Sequence, residues 1–256
     1  MLKKIKKSLI LRLIRLLSFN KPVRMIGYIN DHITVSIGAF GVYEADILEN
    51  IIKKTNNDKK NTVLDIGANI GNHSIFFARY YSRVISFEPS KITFDILCLN
   101  LKLNNIYNVF PYNFGLSTAE GQHILSHSEG NSGAARIINN EFDGDNREVI
   151  KTYRGDDILR KIGVREDIDL IKIDVEGHEV EVIQGLENLL SNYRPKIILE
   201  IENDKKNEIS PESLRILKKF GYVNFYEIKE SKNFIFKKLN IDNMKYRNYS
   251  AIFCEK

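Results

Sequence analysis

Apolar and polar positions along the chain form alternating blocks that predict strands and helices in turn. Short continuous apolar runs, typical of buried parallel strands, occupy residues 62–67, 83–89, 107–117, 169–177 and 196–202. Stretches with helical spacing occupy residues 71–81, 91–104, 178–190 and 210–222. The last helix has Ser210 placed as its cap, Pro211 at its first position and Gly221 beyond its end. This order predicts the α/β class: a Rossmann-like, doubly wound, mostly parallel sheet with helices on both faces.

Residues 118–152 interrupt this order. Their central stretch, EGNSGAARIINNEFDGDNRE, is polar and contains glycines, and the short runs QHILSH and EVIKTY flank it. We expect an inserted hairpin or loop region over the edge of the sheet, because binding loops concentrate in such connections. From residue 222 on, the runs YVNFYEI, NFIFKK and AIFCEK predict antiparallel edge strands.

The first 24 residues differ from the rest in spacing and charge. They hold eight basic and no acidic residues, and their apolar positions predict a basic amphipathic helix. The apolar stripe consists of Leu2, Ile5, Leu9, Leu13 and Leu16. The segment is too short to span a bilayer, is interrupted by Arg12 and Arg15, and lacks a signal-peptide cleavage site. Two alternatives stay open: the helix packs on the body or on another subunit, or it lies on an anionic membrane surface.

Composition excludes several classes of protein. The formal net charge is +5, yet residues 25–256 carry 30 basic and 33 acidic side chains, so the body is not expected to bind nucleic acid. The two cysteines, Cys98 and Cys254, form no disulfide framework, which fits a reducing compartment and predicts a cytoplasmic protein. We find no metal-ligand spacing and predict no required metal.

The turn after the first predicted strand, DIGANIG at residues 65–71, carries the strongest chemical signal. In an open parallel sheet, ligands bind at the carboxyl ends of the strands, beside a helix N-terminus. Gly67 and Gly71 allow unusual backbone angles and close approach, and free amides there favour a carboxylate or a phosphate. The spacing is not that of a dinucleotide fingerprint, and Asp65 would repel a pyrophosphate. A ligand with both an ammonium and a carboxylate group fits better.

The second predicted strand ends in Glu88, followed by Pro89. An acidic residue at this place accepts hydrogen bonds from the two hydroxyls of a ribose. Together with the first turn, it predicts a ligand made of a nucleoside joined to an amino acid.

Several motifs resemble the FkbM family of class I S-adenosylmethionine-dependent methyltransferases. They are VLDIGANIGNHSIFFA, ISFEP, NFGLS, TYRGDDIL, IDLIKIDVEGHEVEVIQGLENLL and PKIILEIE, within residues 40–202. The first motif is typical of class I methyltransferases, and the DVEGHE block narrows the match to this family. We expect a basic helical appendage at residues 1–24 and a methyltransferase domain at residues 25–256, of which the resemblance covers residues 40–202.

The resemblance also implies which residues hold the cofactor, S-adenosylmethionine. The methionine part is assigned to Asp65, Gly67, Ala68, Asn69 and Gly71, with Asn72 next in the chain. The ribose is assigned to Glu88 beside Pro89, and the adenine to Asn113, Leu116 and Ser117.

Methyl transfer is an in-line displacement, so the protein mainly aligns donor and acceptor and excludes water. A hydroxyl acceptor also needs a base, and the candidates follow the fourth and fifth predicted strands. His178 is the natural proton acceptor by residue type, although a histidine there can also cap the helix. The candidate catalytic residues are Asp174, Glu176, His178 and Glu200. Weaker candidates for contact with ligand are Tyr43, Glu44, His73, His123 and His127.

These observations predict a methyltransferase acting on a hydroxyl, either of a sugar in a surface glycan or of a secondary metabolite. The partners expected are therefore a small molecule or a glycan, and both homo-oligomerisation and peripheral membrane contact through residues 1–20 stay open. Two alternatives are an inert cofactor-binding partner subunit and a membrane-associated binding module. A nicotinamide oxidoreductase is disfavoured by the glycine spacing.

Overall fold

The computed structural model describes residues 23–28, 34, 37, 43–55, 61–128, 131–138, 147–164, 168–201, 211–229, 235–244 and 249–256. The predicted basic helix at residues 1–20 and the predicted cap residue Ser210 lie outside these residues.

Strands and helices alternate through most of the described chain. The strands are β1 (Thr62–Ile66), β2 (Arg83–Phe87), β3 (Val109–Tyr112), β4 (Gly115–Ser117), β5 (Gly121–Ser128), β6 (Asn131–Ile138), β7 (Arg147–Arg154), β8 (Ile168–Ile173), β9 (Lys196–Ile201), β10 (Asn224–Lys229), β11 (Ile235–Lys238) and β12 (Tyr249–Glu255). The helices are α1 (Ala45–Lys54), α2 (Asn72–Phe77), α3 (Lys91–Leu103), α4 (Gly155–Lys161), α5 (Glu179–Gly185), α6 (Glu187–Asn192) and α7 (Glu212–Lys219), with a 3-10 turn at Ile241–Asn243.

The larger sheet has the order β11-β10-β12-β9-β8-β1-β2-β3. The five strands from β9 to β3 pair in parallel, and β12, β10 and β11 add antiparallel pairs at one edge. Both the mostly parallel sheet and the antiparallel edge strands were predicted, and both are confirmed. Because β1 lies between β2 and β8, the strand order reverses at β1, which is where ligands bind in folds of this type.

Alternating side chains of the strands pack into two separate hydrophobic cores, one on each face of the sheet. Val63 and Val84 pack with apolar residues of α1, α2 and α3. Leu64 and Ile85 pack with apolar residues of α4, α5, α6 and α7. Since neighbouring strand residues point to opposite faces, both faces are covered by helices, and the doubly wound arrangement is confirmed.

The inserted region forms a second sheet with the order β4-β7-β5-β6. The predicted hairpin is present as β5 and β6, and β7 extends it. The single strand predicted at residues 107–117 is wrong, because β3 belongs to the larger sheet and β4 to the smaller one. Asn113 lies at the break, where its side-chain amide donates to the carbonyls of Glu88 and Pro89 and ties this turn to the end of β2.

Three predicted helices have different bounds. The one at residues 178–190 is divided at Leu186, because the Asp156 carboxylate accepts hydrogen bonds from the backbone amides of Asn188 and Leu189 and so caps a new helix start. The helix predicted at residues 71–81 ends at Phe77. Pro211 is the N-cap of α7 rather than its first helical residue.

The turns after β1 and β8 touch through their backbones. The amide of Asp174 donates to the carbonyl of Ile66 at 3.1 Å. Gly67 has φ +77°, and a Cβ atom placed on it would lie 1.7 Å from the Asp174 carbonyl oxygen. Close backbone approach was predicted at Gly67, but the partner is this neighbouring turn of the protein.

We expect Gly67→Ala to lower the free energy of unfolding by about 3–5 kcal/mol, from a left-handed backbone and an overpacked contact together. Gly163→Ala is the matched control, since Gly163 has φ +76° and nothing within 4 Å of the added carbon. It should cost only about 1–2 kcal/mol, the backbone term alone. Urea unfolding measures both, and equal losses would contradict the steric argument.

Candidate functional site

A pocket opens at the carboxyl ends of β1, β2 and β8, beside the point where the strand order reverses. It encloses about 690 Å³ including the part open to solvent. The predicted site residues that line it are Gly67, Asn69, Glu88, Pro89, Leu116, Asp174, Glu176 and His178.

The turn after β1 bends back onto the end of β2. The amides of Gly67 and Ala68 both donate to the Phe87 carbonyl at 3.0 Å, and the amide of Gly71 donates to Ala68. The amide of Asn69 donates to Glu88 at 2.9 Å. These four amides are therefore paired within the protein itself, and binding of a carboxylate by the amides at the start of α2 stays a prediction.

Both carboxylate oxygens of Glu88 are held in place by backbone amides. Its Oε2 accepts the Asn69 amide and its Oε1 accepts the Ser90 amide, each at 2.9 Å. Burial raises the pKa of Glu88 to about 7, although the two amide hydrogen bonds and Lys172 act in the opposite direction. Each carboxylate oxygen has a second lone pair, so the side chain is fixed in place and can still accept from a ligand.

One wall of the pocket comes from the inserted sheet, where the sequence analysis expected a binding region but did not name the residues of β5 and β6 that form it. Leu125 of β5 and Ala135 and Ile137 of β6 line the pocket opposite Phe87. The apolar run in QHILSH was a usable signal for Leu125, but its direction depends on the pairing of β5 with β7. The result is an apolar slot beside Glu88, of a kind that accepts a flat ring.

The opposite side of the pocket is acidic and contains a buried lysine. Lys172 of β8 is 5% exposed, and its ammonium lies 3.1 Å from Asp174 Oδ2 and 3.5 Å from Asp65 Oδ1. Burial alone lowers the pKa of Lys172, but the carboxylates of Asp174 and Asp65 outweigh this and raise it. Lys172 was not among the predicted residues, although a lysine inside the apolar strand LIKI needs a buried counter-charge.

Asp65 was predicted to meet a ligand ammonium, and its position is different. The side chain is fully buried behind the pocket and accepts a hydrogen bond from Ser74 Oγ at 2.6 Å. Its cross-strand neighbours are Lys172 and Ser86. The ammonium near Asp65 therefore belongs to the protein.

Glu200 and Glu176 add carboxylates to the acidic side. Glu176 lines the pocket from a left-handed turn with φ 53°. Glu200, at the end of β9, is only partly exposed, and burial together with Asp174 and Glu44 raises its pKa to about 9. Glu200 is close enough to Asp174 to interact electrostatically, but it does not line the pocket, so its role in catalysis stays a prediction.

His178 begins α5, and its side chain makes no helix cap. Its Nε2 lies 3.1 Å from Ser117 Oγ, and its Nδ1 lies 3.5 Å from Glu181 Oε2. Burial lowers the pKa of His178, the nearby His123 ring adds to this effect, and Glu181 opposes it. The side chain is thus oriented by Ser117 and favours the neutral form. Ser117 itself contacts His178 behind the pocket lining.

Four predicted cofactor residues have structural partners instead of lining the pocket. Asn72 exchanges two hydrogen bonds with the backbone of Tyr43, at 3.0 and 3.1 Å. Gly71, with φ +91°, lies under Leu97. Ala68 is buried, and Asn113 ties the turn after β3 to β2, as described above.

Two of the weaker candidates, His73 and His123, also contact other side chains of the protein. Nε2 of His73 lies 3.5 Å from Glu44 Oε2, beside the pocket rim. The ring of His123 packs 5.9 Å from that of His178. The side chain of His127 lies outside the described part of the structure.

Comparison with known proteins identifies the family of this chain. The model of the methyltransferase FkbM domain matches residues 65–231, which include the strands and turns that form the pocket. The chain belongs to the FkbM methyltransferase family. The resemblance found in the sequence motifs is thereby confirmed.

Two relatives and one solved structure show how far the likeness extends. Hexuronic acid methyltransferase AglP of Haloferax volcanii is 30% identical over 158 residues, 62% of this chain and 62% of AglP. Methyltransferase sdnD of Sordaria araneosa is 30% identical over 156 residues, 49% of this chain and 60% of sdnD. The chain therefore spans about three fifths of the length of these relatives. The structure of WbdD with the kinase inhibitor LY294002 has a TM-score of 0.50 at 11% identity, covers 95% of this chain and 47% of that one, and shows a shared fold alone.

The described residues contain neither a membrane-spanning helix nor a metal-binding cluster. None of their helices combines the length and the apolar character needed to cross a bilayer. In the same residues, no group of three or more His, Cys, Asp or Glu side chains is placed to hold a metal ion.

The raised pKa of Glu88 predicts a specific pH dependence of stability. The folded state binds the Glu88 proton more tightly than the unfolded state, so this contribution is greatest below about pH 4.5 and is lost as the pH rises to about 7. The shift corresponds to roughly 3 kcal/mol. Glu88→Gln does not titrate, so the stability of the wild type relative to this variant should fall by that amount between about pH 4 and pH 8.

Urea unfolding of the two proteins across this range measures the effect. Only the change in their difference matters, because Gln also loses one acceptor for the amides of Asn69 and Ser90. A pH-independent difference would show that Glu88 titrates normally.

Proposed function

We propose that this FkbM-family chain uses S-adenosylmethionine to methylate a hydroxyl group. One observation carries the proposal: Glu88, held by two amides, faces an apolar slot on one side and the carboxylates of Asp174 and Glu176 on the other. A ribose, a flat base and a positively charged group are the three kinds of partner that such an arrangement suits.

The pocket residues fit the parts of the cofactor in order. Glu88 offers its remaining lone pairs to the ribose hydroxyls. Phe87, Leu116 and Ile137 supply apolar surface for the adenine. Asp174 and Glu176 place negative charge where the ammonium and the sulfonium require it.

When bound, the cofactor supplies an electrophilic methyl group. The residues of the chain hold the acceptor in line with that methyl group and keep water away. Asp174 and Glu176 lie where the turn after β8 meets the pocket, and they orient the donor.

His178 is the proposed base for a hydroxyl acceptor. It lines the pocket, its ring is held by Ser117, and its lowered pKa leaves the imidazole neutral near pH 7. A neutral imidazole accepts the hydroxyl proton as the new carbon–oxygen bond forms. Among the candidate bases, it alone combines a pocket position with this protonation state.

For the acceptor we propose a sugar hydroxyl of a surface glycan or a hydroxyl of a secondary metabolite. The support is the naming of two relatives: AglP acts on a hexuronic acid, and sdnD is a methyltransferase.

We expect the purified chain to bind S-adenosylmethionine and S-adenosylhomocysteine but not NAD. Glu88→Gln should weaken binding of S-adenosylhomocysteine by roughly ten- to a hundredfold, because one hydrogen-bonding charged group is worth about 1.5–3 kcal/mol. Isothermal calorimetry measures both. Glu120→Gln, at an exposed position outside the pocket, is the matched control and should bind like the wild type.

The cofactor assignment would be rejected if neither compound gave a heat of binding at about millimolar concentration. That result would mean a binding free energy weaker than about 4 kcal/mol. Equal affinities of Glu88→Gln and the wild type would reject the assignment of Glu88 alone.

His178→Gln should lower methyl transfer by about 10²–10⁴-fold, the usual contribution of general-base catalysis, with little change in S-adenosylhomocysteine affinity. Gln keeps a hydrogen-bonding partner for Ser117. The wild-type rate should rise with pH and be level by neutral pH, since the pKa of His178 is lowered from its ordinary value by burial. Transfer of a labelled methyl group into an extract from cells lacking the protein measures the rate. Unchanged transfer by the variant would exclude His178 as the base.

A further inference from the structure

Lys172 has no part in the proposed chemistry, yet it is the cation buried beside the pocket. It lies in β8, one strand away from Ser86 of β2 and directly beside Asp65 of β1. Its side chain is 6% exposed.

Three oxygen atoms surround the ammonium, and they come from both turns that border the pocket. The carbonyl of Gly67 accepts a hydrogen bond from Nζ at 2.8 Å. Asp174 Oδ2 lies at 3.1 Å and Asp65 Oδ1 at 3.5 Å. The contact with Asp65 Oδ1 is an ion pair without a hydrogen bond, so the closer contacts of the ammonium are those with Gly67 and Asp174.

Two of these three partners belong to the pocket lining. Gly67 and Asp174 both face the pocket, and the Asp174 side chain is 27% exposed. Asp65 is different, because it is fully buried and already accepts a hydrogen bond from Ser74. Neutralising Asp65 alone would not require Lys172 to contact both turns that line the pocket.

We propose that Lys172 is a positioning residue of the methyl-transfer site, which fixes the Asp174 carboxylate and the Gly67 carbonyl where they meet the donor. The inference rests on the proposed function. The ammonium binds one oxygen of Asp174 and leaves the other directed to the ligand. It also joins the turns after β1 and β8, both of which line the pocket.

The test separates this role from charge neutralisation. Lys172→Met alone leaves Asp65 buried without its cation and should lower the unfolding temperature strongly. The double variant Asp65→Asn with Lys172→Met removes both buried charges and should recover much of that loss. Thermal unfolding followed by circular dichroism measures the recovery and shows that the double variant is folded.

The decisive readout is the affinity for S-adenosylhomocysteine, measured by calorimetry. We expect the double variant to bind roughly ten- to a hundredfold more weakly than Asp65→Asn alone, because only the double variant lacks the cation that holds Asp174. Returning a cation as Lys172→Arg in the Asp65→Asn background should restore part of the affinity. Lys151→Met, an exposed lysine on β7, is the matched control and should leave binding unchanged.

Equal affinities of Asp65→Asn and the double variant would overturn the inference and leave Lys172 as a counter-charge for Asp65. Absence of binding by the wild type would remove the proposed function, and this inference with it. The two failures are therefore distinguishable. If the double variant does not fold, the comparison is between Asp65→Asn alone and Asp65→Asn combined with Lys172→Arg. A guanidinium does not reproduce the contacts of the ammonium, so the inference expects weaker binding by the arginine variant. Equal affinities of these two proteins would overturn it.

Discussion

Lys172 and Asp65 face each other on neighbouring strands in the centre of the sheet, where an unpaired charge is costly. Their pairing fixes the register of β8 against β1, because a slip of one residue would send the two charges to opposite faces. That register brings the ends of both strands level. Asp174 then reaches the Gly67 turn, and a glycine is required there because the Asp174 carbonyl leaves no room for a Cβ atom.

Both the central sheet and the inserted sheet line the pocket. The carboxyl ends of β1, β2 and β8 supply polar groups on one side only, and the hairpin of β5 and β6 covers the rest with Leu125 and Ile137. The same insertion positions His178, since Ser117 of β4 holds its ring and His123 of β5 packs against it. The lining of the pocket and the orientation of His178 therefore both depend on how the second sheet packs against the first.

Sequence reasoning located the pocket because topology alone determines it: parallel strands end at one edge, so Glu88, Asp174 and His178 had to lie close together. It failed where side-chain direction depends on cross-strand register. Asp65 looked like a ligand contact, but it points back toward Lys172 and Ser74. A buried lysine in LIKI and a buried aspartate in VLDI were a signal for the missed pair, since each needs the other.

The direction of the pKa shifts also discriminates between ligands. Burial raises the pKa of Glu88 and Glu200 and lowers that of His178, so each of these groups moves toward its neutral form. A diphosphate beside Asp174, Glu176 and Glu200 would add negative charge to side chains that already repel one another. A sulfonium and an ammonium would instead offset that repulsion and favour the ionised carboxylates. The acidic side of the pocket therefore supports a cationic donor over a dinucleotide.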